Sequence, residues 1–569
     1  MENLKWWQKA VFYQIYPRSF ADGNGDGIGD FKGMIEHLDY LQGLGIDGLW
    51  LSPHYPSPQF DCGYDISDYQ GVNPEYGALD DFKQFLDGAH QRGMRVILDL
   101  VLNHTSDQNP WFIASRSSRD NPKRDWYVWR DGKKDGPPNN WYSTFGGQAW
   151  EYDQGTGQYY YHYFFKEQPD LNWRNPEVKQ AMWEAVCFWL DLGVDGFRLD
   201  AIGTIYEDPA LPDHPVKESL SDLYRHVMTG NDLALEFEVK IKALFQYQVD
   251  LPEVHDLMKE LRQLIDSYPD RMLIGETEEI SFYGSGDDEL NMVFNFPLME
   301  TEKLTPATIR ANQKTRLAAL PRGAWPCNTL GNHDSPRVKS RYGDGKNDDA
   351  LARLHLALIL TMRGTPFIYN GEEIGMTNLL FDDISQLRDN VGLFVYRTAI
   401  AEIGLTPDEG EKLAIKSSRD KGRTPMQWAN RANAGFSPAG VAPWLPVNPN
   451  YSGGINVADQ EKYPASLLNF YRAMIQLRKQ TPALIGGEYL PLHENAEEYI
   501  AFLRQSIPNR QSCLVILNMS DQHQTLKFDL EASSLKCLFS TSINIGSLSQ
   551  PFRLEIAPFG IYMGELSNY

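Results

Sequence analysis

Four short segments place reactive side chains where an apolar, strand-like run stops: Asp99–Ser106 (DLVLNHTS), Gly196–Ala201 (GFRLDA), Leu273–Glu276 (LIGE) and Thr329–Arg337 (TLGNHDSPR). Three of them supply one carboxylate each, Asp200, Glu276 and Asp334. Two carboxyl groups facing one bond can divide the work of acid and of nucleophile or base, as the cleavage of a glycosidic linkage requires. Strand alternation turns Arg198 and Asp200 to one side, and a guanidinium beside a carboxylate keeps it ionised, as a nucleophile must be. Glu276 suits an acid, because partial desolvation at a strand end favours a protonated carboxyl. Glu278 and Glu279 compete for that role on sequence alone. His104 and His333 stand beside strand ends, where an imidazole can donate to hydroxyl groups.

Such residues need a frame that brings strand ends together. Eight strands are expected, at Val11–Ile15, Gly48–Leu51, Val96–Leu100, Gly196–Leu199, Met272–Ile274, Met292–Phe296, Asn328–Leu330 and Pro366–Tyr369. Helical periodicity separates them at Met34–Leu44, Leu79–Arg92, Pro176–Leu192, Glu253–Tyr268, Thr305–Leu320, Ala350–Met362 and Pro464–Lys479. Eightfold alternation implies an α/β fold of the (β/α)8 (TIM) barrel type, whose catalytic groups lie at the carboxyl ends of the strands. The Gly-, Trp-, Tyr- and Asn-rich stretch after the third strand is too long for a loop. We therefore expect a barrel from residues 1–104 and 175–485, a small inserted domain at 105–174, and a C-terminal antiparallel β-sandwich at 486–569. Residues 371–463 read as a second long polar insertion. The C-terminal expectation rests on short alternating runs at Tyr499–Arg504, Cys513–Asn518, Gln524–Asp529 and Gly560–Glu565.

These segments together resemble the α-amylase superfamily (glycoside hydrolase family 13), and within it the α-glucosidases and oligo-1,6-glucosidases, over nearly the whole chain. The resemblance implies that Asp200 is the nucleophile, that Glu276 is the acid/base, and that Asp334 stabilises the transition state. It makes His104, Arg198 and His333 substrate contacts. The run Asp61-Cys62-Gly63-Tyr64 is similar to the wall of a glucose pocket, with Tyr64 stacking under the sugar. Asp61 and Arg419, in SSRDKGRTPMQW, would close that pocket, so that one glucose is removed at a time. Phe145 and Phe164 resemble the aromatic lining near it, and QPDLN at Gln168–Asn172 refines the subgroup. Ala201, after the nucleophile, goes in this family with α-1,4 or sucrose-type bonds, whereas Val there goes with α-1,6 cleavage.

The segment Asp22–Asp30 (DGNGDGIGD) has oxygen-bearing residues at alternate positions and Gly at the sixth, like an EF-hand loop. Residue 33 is Gly, so the closing bidentate Glu is missing. The resemblance makes the segment a structural Ca²⁺ or Mg²⁺ site with ligands Asp22, Asn24, Asp26, Asp30 and the Ile28 carbonyl. No organic cofactor is implied.

The chain has 569 residues and a formal net charge of −23, which argues against a nucleic-acid partner, since phosphate binding wants a basic surface. The 5 cysteines are scattered, without CxxC spacing, and fit reduced thiols in a cytoplasm. No secretory signal and no membrane-spanning apolar run is seen, so a cytoplasmic monomer or small homo-oligomer acting on small α-glucosides is expected. The expected activity is retaining, exo-acting α-glucosidase with maltose-type bonds favoured and some transglucosylation. The alternatives are a sucrose isomerase- or trehalose synthase-like transferase, an oligo-1,6-glucosidase, or a non-catalytic relative, which would carry a membrane span.

Overall fold

The computed structural model describes residues 4–134, 136–228, 234–286, 288–508, 510–542 and 549–567. Eight strands, Phe12–Ile15, Gly48–Leu51, Arg95–Val101, Gly196–Asp200, Met272–Gly275, Met292–Val293, Cys327–Asn328 and Thr365–Tyr369, share one sheet. Every neighbouring pair in it is parallel, and the first strand pairs with both the second and the eighth. This is a nearly closed (β/α)8 barrel, as the alternation of elements implied.

Side-chain period two sorts the strands into two cores. One face of successive strands supplies Phe12, Trp50, Ile97, Ile274 and Phe367, which pack together inside the barrel. The opposite face supplies Tyr13, Leu49, Val96, Leu98, Phe197 and Ile368, which pack against the helices. Carried further along each strand, the inward face turns polar: Phe12 leads to Gln14, Trp50 to Ser52, Ile97 to Asp99, Ile274 to Glu276, and Gly196 to Arg198 and then Asp200. The register sets Asp99 beside Arg198 on neighbouring strands. A dry floor therefore lies directly beneath a ring of polar groups.

Several boundaries differ from expectation. The sixth strand is only Met292–Val293, because Asn295 turns the chain into the short helix Phe296–Met299 with Pro at its start. The seventh ends at Asn328 rather than Leu330. The helix expected at Met34–Leu44 is two, Phe31–Glu36 and Leu38–Leu44, parted at His37. Helices Leu220–Met228 and Ala234–Phe245 follow the fourth strand where none was expected. Leu220, Leu223, Leu244 and Phe245 there close a cluster with Trp141, Trp150 and Tyr161 of the inserted region.

Within residues 105–174, Trp129–Arg130, Trp150–Asp153 and Gln158–Tyr161 form a three-stranded antiparallel sheet. Residues 371–463 are not merely a polar loop. They fold into helices that include Asn390–Thr398 and Pro407–Ser417, over a small core of Phe381, Leu387, Ala414 and Leu445.

The C-terminal region holds a five-stranded antiparallel sheet and a two-stranded one, Gln524–Phe528 with Phe552–Ile556. Leu503, Leu514 and Ile516 of the larger meet Leu526, Phe528 and Leu554 of the smaller in one cluster. The edge strands Glu488–Leu492 and Ser534–Ser540 were not expected; the first is largely exposed and the second mostly half-buried, so neither gives a clean alternation to read. Arg504, buried in strand Tyr499–Ser506, turns back to the barrel and donates to the carbonyls of Thr361, Met362, Leu484, Ile485 and Gly487. Two of these carbonyls end helix Asp348–Thr361, where a cation also meets the negative end of the helix dipole.

Candidate active site

Arg198 is the hub of the polar ring. It is 1% exposed, and its Nη1 donates to Asp99 Oδ1 at 2.6 Å and to Asp200 Oδ1 at 2.7 Å. Its Nη2 lies 2.6 Å from Glu276 Oε1. Arg198 is thus not dedicated to Asp200, as the sequence suggested, but shared among three carboxylates. Asp200 and Glu276 lie on the two terminal nitrogens of this one guanidinium. Burial first, and Glu276 second, push the Asp200 carboxyl well above the usual aspartate range, against the opposing pull of Arg198. One guanidinium faces three carboxylates, two of them buried, so their charges are not independent. Burial likewise raises Asp99 to about 6, although Arg198 opposes it.

Ala201 adopts a left-handed conformation, with φ 41° and ψ 45°. This reverses the chain directly after Asp200 and aims the Ala201 amide at Glu276 Oε2, 2.9 Å away. The residue proposed to set linkage preference through its side chain therefore also holds Glu276 through its backbone.

Asp334 follows the seventh strand and faces two cations. Arg423 Nη2 donates to its Oδ1, and Arg419 Nη1 lies 3.5 Å from the same atom. Burial would raise its carboxyl, but His333, Arg423, Arg419 and Arg198 together hold it well below the usual range. His333 is itself lowered to about 3 by burial and is neutral near pH 7, so there the arginines do this. Gln14 Nε2 contacts His333 Nδ1 at 2.7 Å, and Tyr64 Oη contacts its Nε2 at 2.6 Å. The Tyr64 hydroxyl donates in turn to Asp99 Oδ2 at 3.1 Å. Tyr64 is 5% exposed and stacks on His333, with ring centroids 5.5 Å apart, so one of its faces is already covered.

The two residues expected to close the pocket do meet. Arg419 Nη2 reaches Asp61 Oδ1 at 2.6 Å and Asp389 Oδ1 at 2.7 Å. Gln168 Nε2 bridges Asp61 Oδ2, at 3.1 Å, and His104 Nε2, at 2.9 Å. Burial lowers His104 to about 4. Phe164 packs on His104 at 5.1 Å. Phe145 sits one layer back, against Phe164 at 5.6 Å and Phe165 at 4.3 Å, and is not part of the polar ring.

Sequence reasoning missed Gln14, Asp99, Asp389 and Arg423, and read Gln168 only as a subgroup marker. Continuing the inward alternation of the first and third strands finds Gln14 and Asp99. No local signal finds Asp389 or Arg423, which come from the 371–463 insertion.

The Asp22–Asp30 loop stands apart from these groups. Asp22 accepts from the amides of Gly25, Asp26 and Gly27, and Asp30 from those of Gly23, Asn24 and Gly33. Asp26 accepts from the Ile28 amide at 2.9 Å and from Asn24 Nδ2 at 3.0 Å. Among the described residues no three His, Cys, Asp or Glu side chains are gathered on one point as metal ligands. The loop's candidate ligands are nonetheless all hard oxygens; Asp22 Oδ1 and Asp30 Oδ1 each accept two amides, whereas Asp22 Oδ2, Asp30 Oδ2 and both Asp26 oxygens accept one bond and keep a further lone pair.

A parallel barrel with three carboxylates and a shared guanidinium at the carboxyl ends of its strands defines a glycoside hydrolase site. The catalytic-domain model of the α-amylases matches residues 14–487, and the chain belongs to that family. It is 43% identical over 539 residues to an oligo-1,6-glucosidase of Parageobacillus thermoglucosidasius, covering 92% of each chain. It is 41% identical to an α-glucosidase of Pediococcus pentosaceus, covering 87% of this chain and 89% of that one. The trehalulose synthase of Pseudomonas mesoacidophila MX-45 superposes with a TM-score of 0.88 at 37% identity, over 99% of this chain and 100% of that one. No helix among the described residues is long and apolar enough to cross a membrane.

Proposed function

We propose that this chain is a retaining, exo-acting α-glucosidase that releases glucose from the non-reducing end of short α-glucosides. The observation that carries this reading is Arg198 holding Asp200 Oδ1 at 2.7 Å and Glu276 Oε1 at 2.6 Å, one on each terminal nitrogen of a single guanidinium. Inverting enzymes need their carboxyls far enough apart to seat a water, and retaining enzymes keep them close. Asp200 attacks the anomeric carbon and forms a glycosyl ester as the bond to the leaving oxygen breaks. Glu276 gives its proton to that oxygen. It then takes a proton from water, whose oxygen displaces Asp200 and restores the α configuration. Asp334, kept ionised by Arg419 and Arg423, faces the positive charge that develops on the sugar ring. The Asp61–Arg419 pair supports a blind end that admits one terminal glucose.

Maltose-type bonds are favoured by Ala201, whose methyl leaves room beside the nucleophile. A sugar acceptor in place of water gives transglucosylation by the same step. A second reading, sucrose isomerisation, is supported by the likeness to the trehalulose synthase, and it differs only in the fate of the glycosyl ester. The Asp22–Asp30 loop would hold a structural Ca²⁺ through Asp22, Asn24, Asp26, Asp30 and the Ile28 carbonyl, neutralising its acid. The 5 free cysteines support a reducing, cytoplasmic setting for a monomer or small homo-oligomer.

The test is a mechanism-based α-glucosyl inhibitor followed by peptide mapping, with products from maltose, isomaltose, sucrose and starch resolved by chromatography. The label is expected on Asp200, with α-glucose released from maltose. A label on another carboxylate, β-glucose as first product, or internal cuts in starch would each overturn part of the reading.

A further inference from the structure

Arg419 is held mainly by a carboxylate with no exposed surface. Asp389 is fully buried, and it accepts the Arg419 backbone amide on Oδ2 at 2.8 Å, Nε on both oxygens at 3.2 Å and Nη2 on Oδ1 at 2.7 Å. From the same arginine Asp61 takes only Nη2, at 2.6 Å, and Asp334 only Nη1, at 3.5 Å. Nη1 is therefore the nitrogen left to donate to a ligand. Burial opposes charge on Asp389, but Arg419 holds its carboxyl at about 2, so it is ionised near neutral pH. A charged grip on the backbone and on one edge of the guanidinium fixes the plane of the whole group.

The grip is reciprocal. Asp420, next to Arg419, accepts the amides of Arg388 at 2.6 Å and Asp389 at 2.8 Å on one oxygen. Asn390 then ties this pair of segments to the loop that carries Asp61: its Nδ2 donates to the Phe60 carbonyl at 2.6 Å. On that loop Asp65 plays the matching part. It is fully buried and accepts the Phe60 amide at 2.8 Å and the Asp61 amide at 2.9 Å. Each member of the closing pair thus has its own backbone amide fixed by a buried carboxylate.

We propose that Asp389, with Asn390 beside it, is a positioning latch for exo specificity, holding Arg419 in the orientation that puts Nη2 on Asp61 and leaves Nη1 to the sugar. The latch rests on the blind-end part of the α-glucosidase reading. A glucosyl unit with its anomeric carbon at Asp200 turns the far side of its ring, with the 4- and 6-hydroxyls, toward the closed end. Loosening Arg419 should therefore weaken recognition of those hydroxyls more than it slows bond cleavage.

The experiment compares the full chain with its Asp389→Asn variant on maltose and on maltose lacking the 4- or the 6-hydroxyl of its non-reducing glucose. The unmodified protein should prefer maltose over at least one deoxy analogue by on the order of 10- to 100-fold in kcat/KM, the worth of a hydrogen bond to a charged group. In Asp389→Asn that preference should shrink to severalfold, and KM for maltose should rise by about tenfold with kcat changed less. A purely structural role would lower the melting temperature and depress all three substrates alike. The ratio would then stay intact, which overturns the latch. If Asp389→Asn folds poorly, Asn390→Ala decides, because it removes only the half-buried tie to Phe60 and should narrow the same ratio; an unchanged ratio there also overturns the latch. If the unmodified protein does not tell maltose from either analogue, the blind-end reading fails and the latch with it. Discrimination that survives the variants sinks the latch alone.

Discussion

The glucose pocket and the Asp22–Asp30 loop are both crowded with carboxylates, and they settle that charge in opposite ways. In the loop, Asp22, Asp26 and Asp30 are satisfied by amides no more than seven residues away. In the pocket, Asp61, Asp334 and Asp389 share Arg419, and Asp99, Asp200 and Glu276 share Arg198, across separations of up to 358 residues. Local amides fix a shape and leave charge facing solvent or an ion. Shared guanidiniums make each carboxylate's state depend on its neighbours, which is the property a proton-transferring site needs.

The sharpest way to break this contrast is at the pocket's centre. Asp200→Ala should lower kcat on maltose on the order of 10⁴–10⁶-fold with the melting temperature little changed. Glu276→Gln should cost about 10²–10⁴-fold on maltose, and much less on a glucoside whose leaving group needs no proton. Equal losses on both substrates would remove Glu276 from the acid role.

Arg419→Ala tests whether the pocket's wall is also a structural tie. It leaves Asp61 and buried Asp389 without their cation, so denaturant unfolding should show a loss of about 3–5 kcal/mol along with weaker glucose binding. An unchanged unfolding midpoint would mean that water or Arg423 takes over.

Acid pH should act on the barrel and its inserted region through buried histidines. Burial holds His54 and His333 to about 3, and His104, His162 and His355 to about 4. The unfolded chain binds these protons near pH 6.5 and the folded chain does not, so these histidines cost stability as pH drops from about 6.5 toward 4, while Asp65, Asp99 and Glu372, raised by burial to about 7, 6 and 8, act in the opposite sense. Thermal melts of the protein and of a His355→Gln variant, read by tryptophan fluorescence, should diverge in the variant's favour across that range. Parallel curves would contradict the burial of His355.

Ala201→Val is expected to act more gently. A methyl-scale change beside the nucleophile is worth about 1–3 kcal/mol, so the isomaltose-to-maltose ratio should rise only in part. A β-branched residue at φ 41° also strains the turn that carries the amide donor to Glu276, so kcat on both sugars should fall. A changed ratio with undiminished kcat would separate the side chain from the backbone role. Saturating Ca²⁺ should produce the smallest effect, a rise of a few degrees in melting temperature, because an ion binding only the folded form stabilises it. No shift, with no bound metal by elemental analysis, would leave the amides as the loop's only partners.

The same contrast explains what could be read from the chain. The barrel, Asp200 and Glu276 were legible because period two runs unbroken from Gly196 to Asp200 and from Ile274 to Glu276, so the polar ring is an extension of the core; the same extension to Gln14 and Asp99 was there to be read and was missed. Asp61 and Arg419 were legible only through family resemblance, since nothing local links positions so far apart. Asp389 and Arg423 stayed hidden for that reason, as did the shared use of Arg198. The helices at Leu220–Met228 and Ala234–Phe245 were missed because their apolar residues answer to the inserted region rather than to the barrel.

Arg504 has a consequence for how this architecture is inherited. Its guanidinium reaches from the C-terminal sheet to carbonyls of Thr361, Met362, Leu484, Ile485 and Gly487. A barrel separated from that sheet by recombination would keep every catalytic group and lose this donor to Thr361, Met362, Leu484 and Ile485, though Arg478 would still serve Leu484. The sheet is therefore no interchangeable module. It travels with the barrel because the far ends of the barrel's helices are finished by a residue the barrel does not encode.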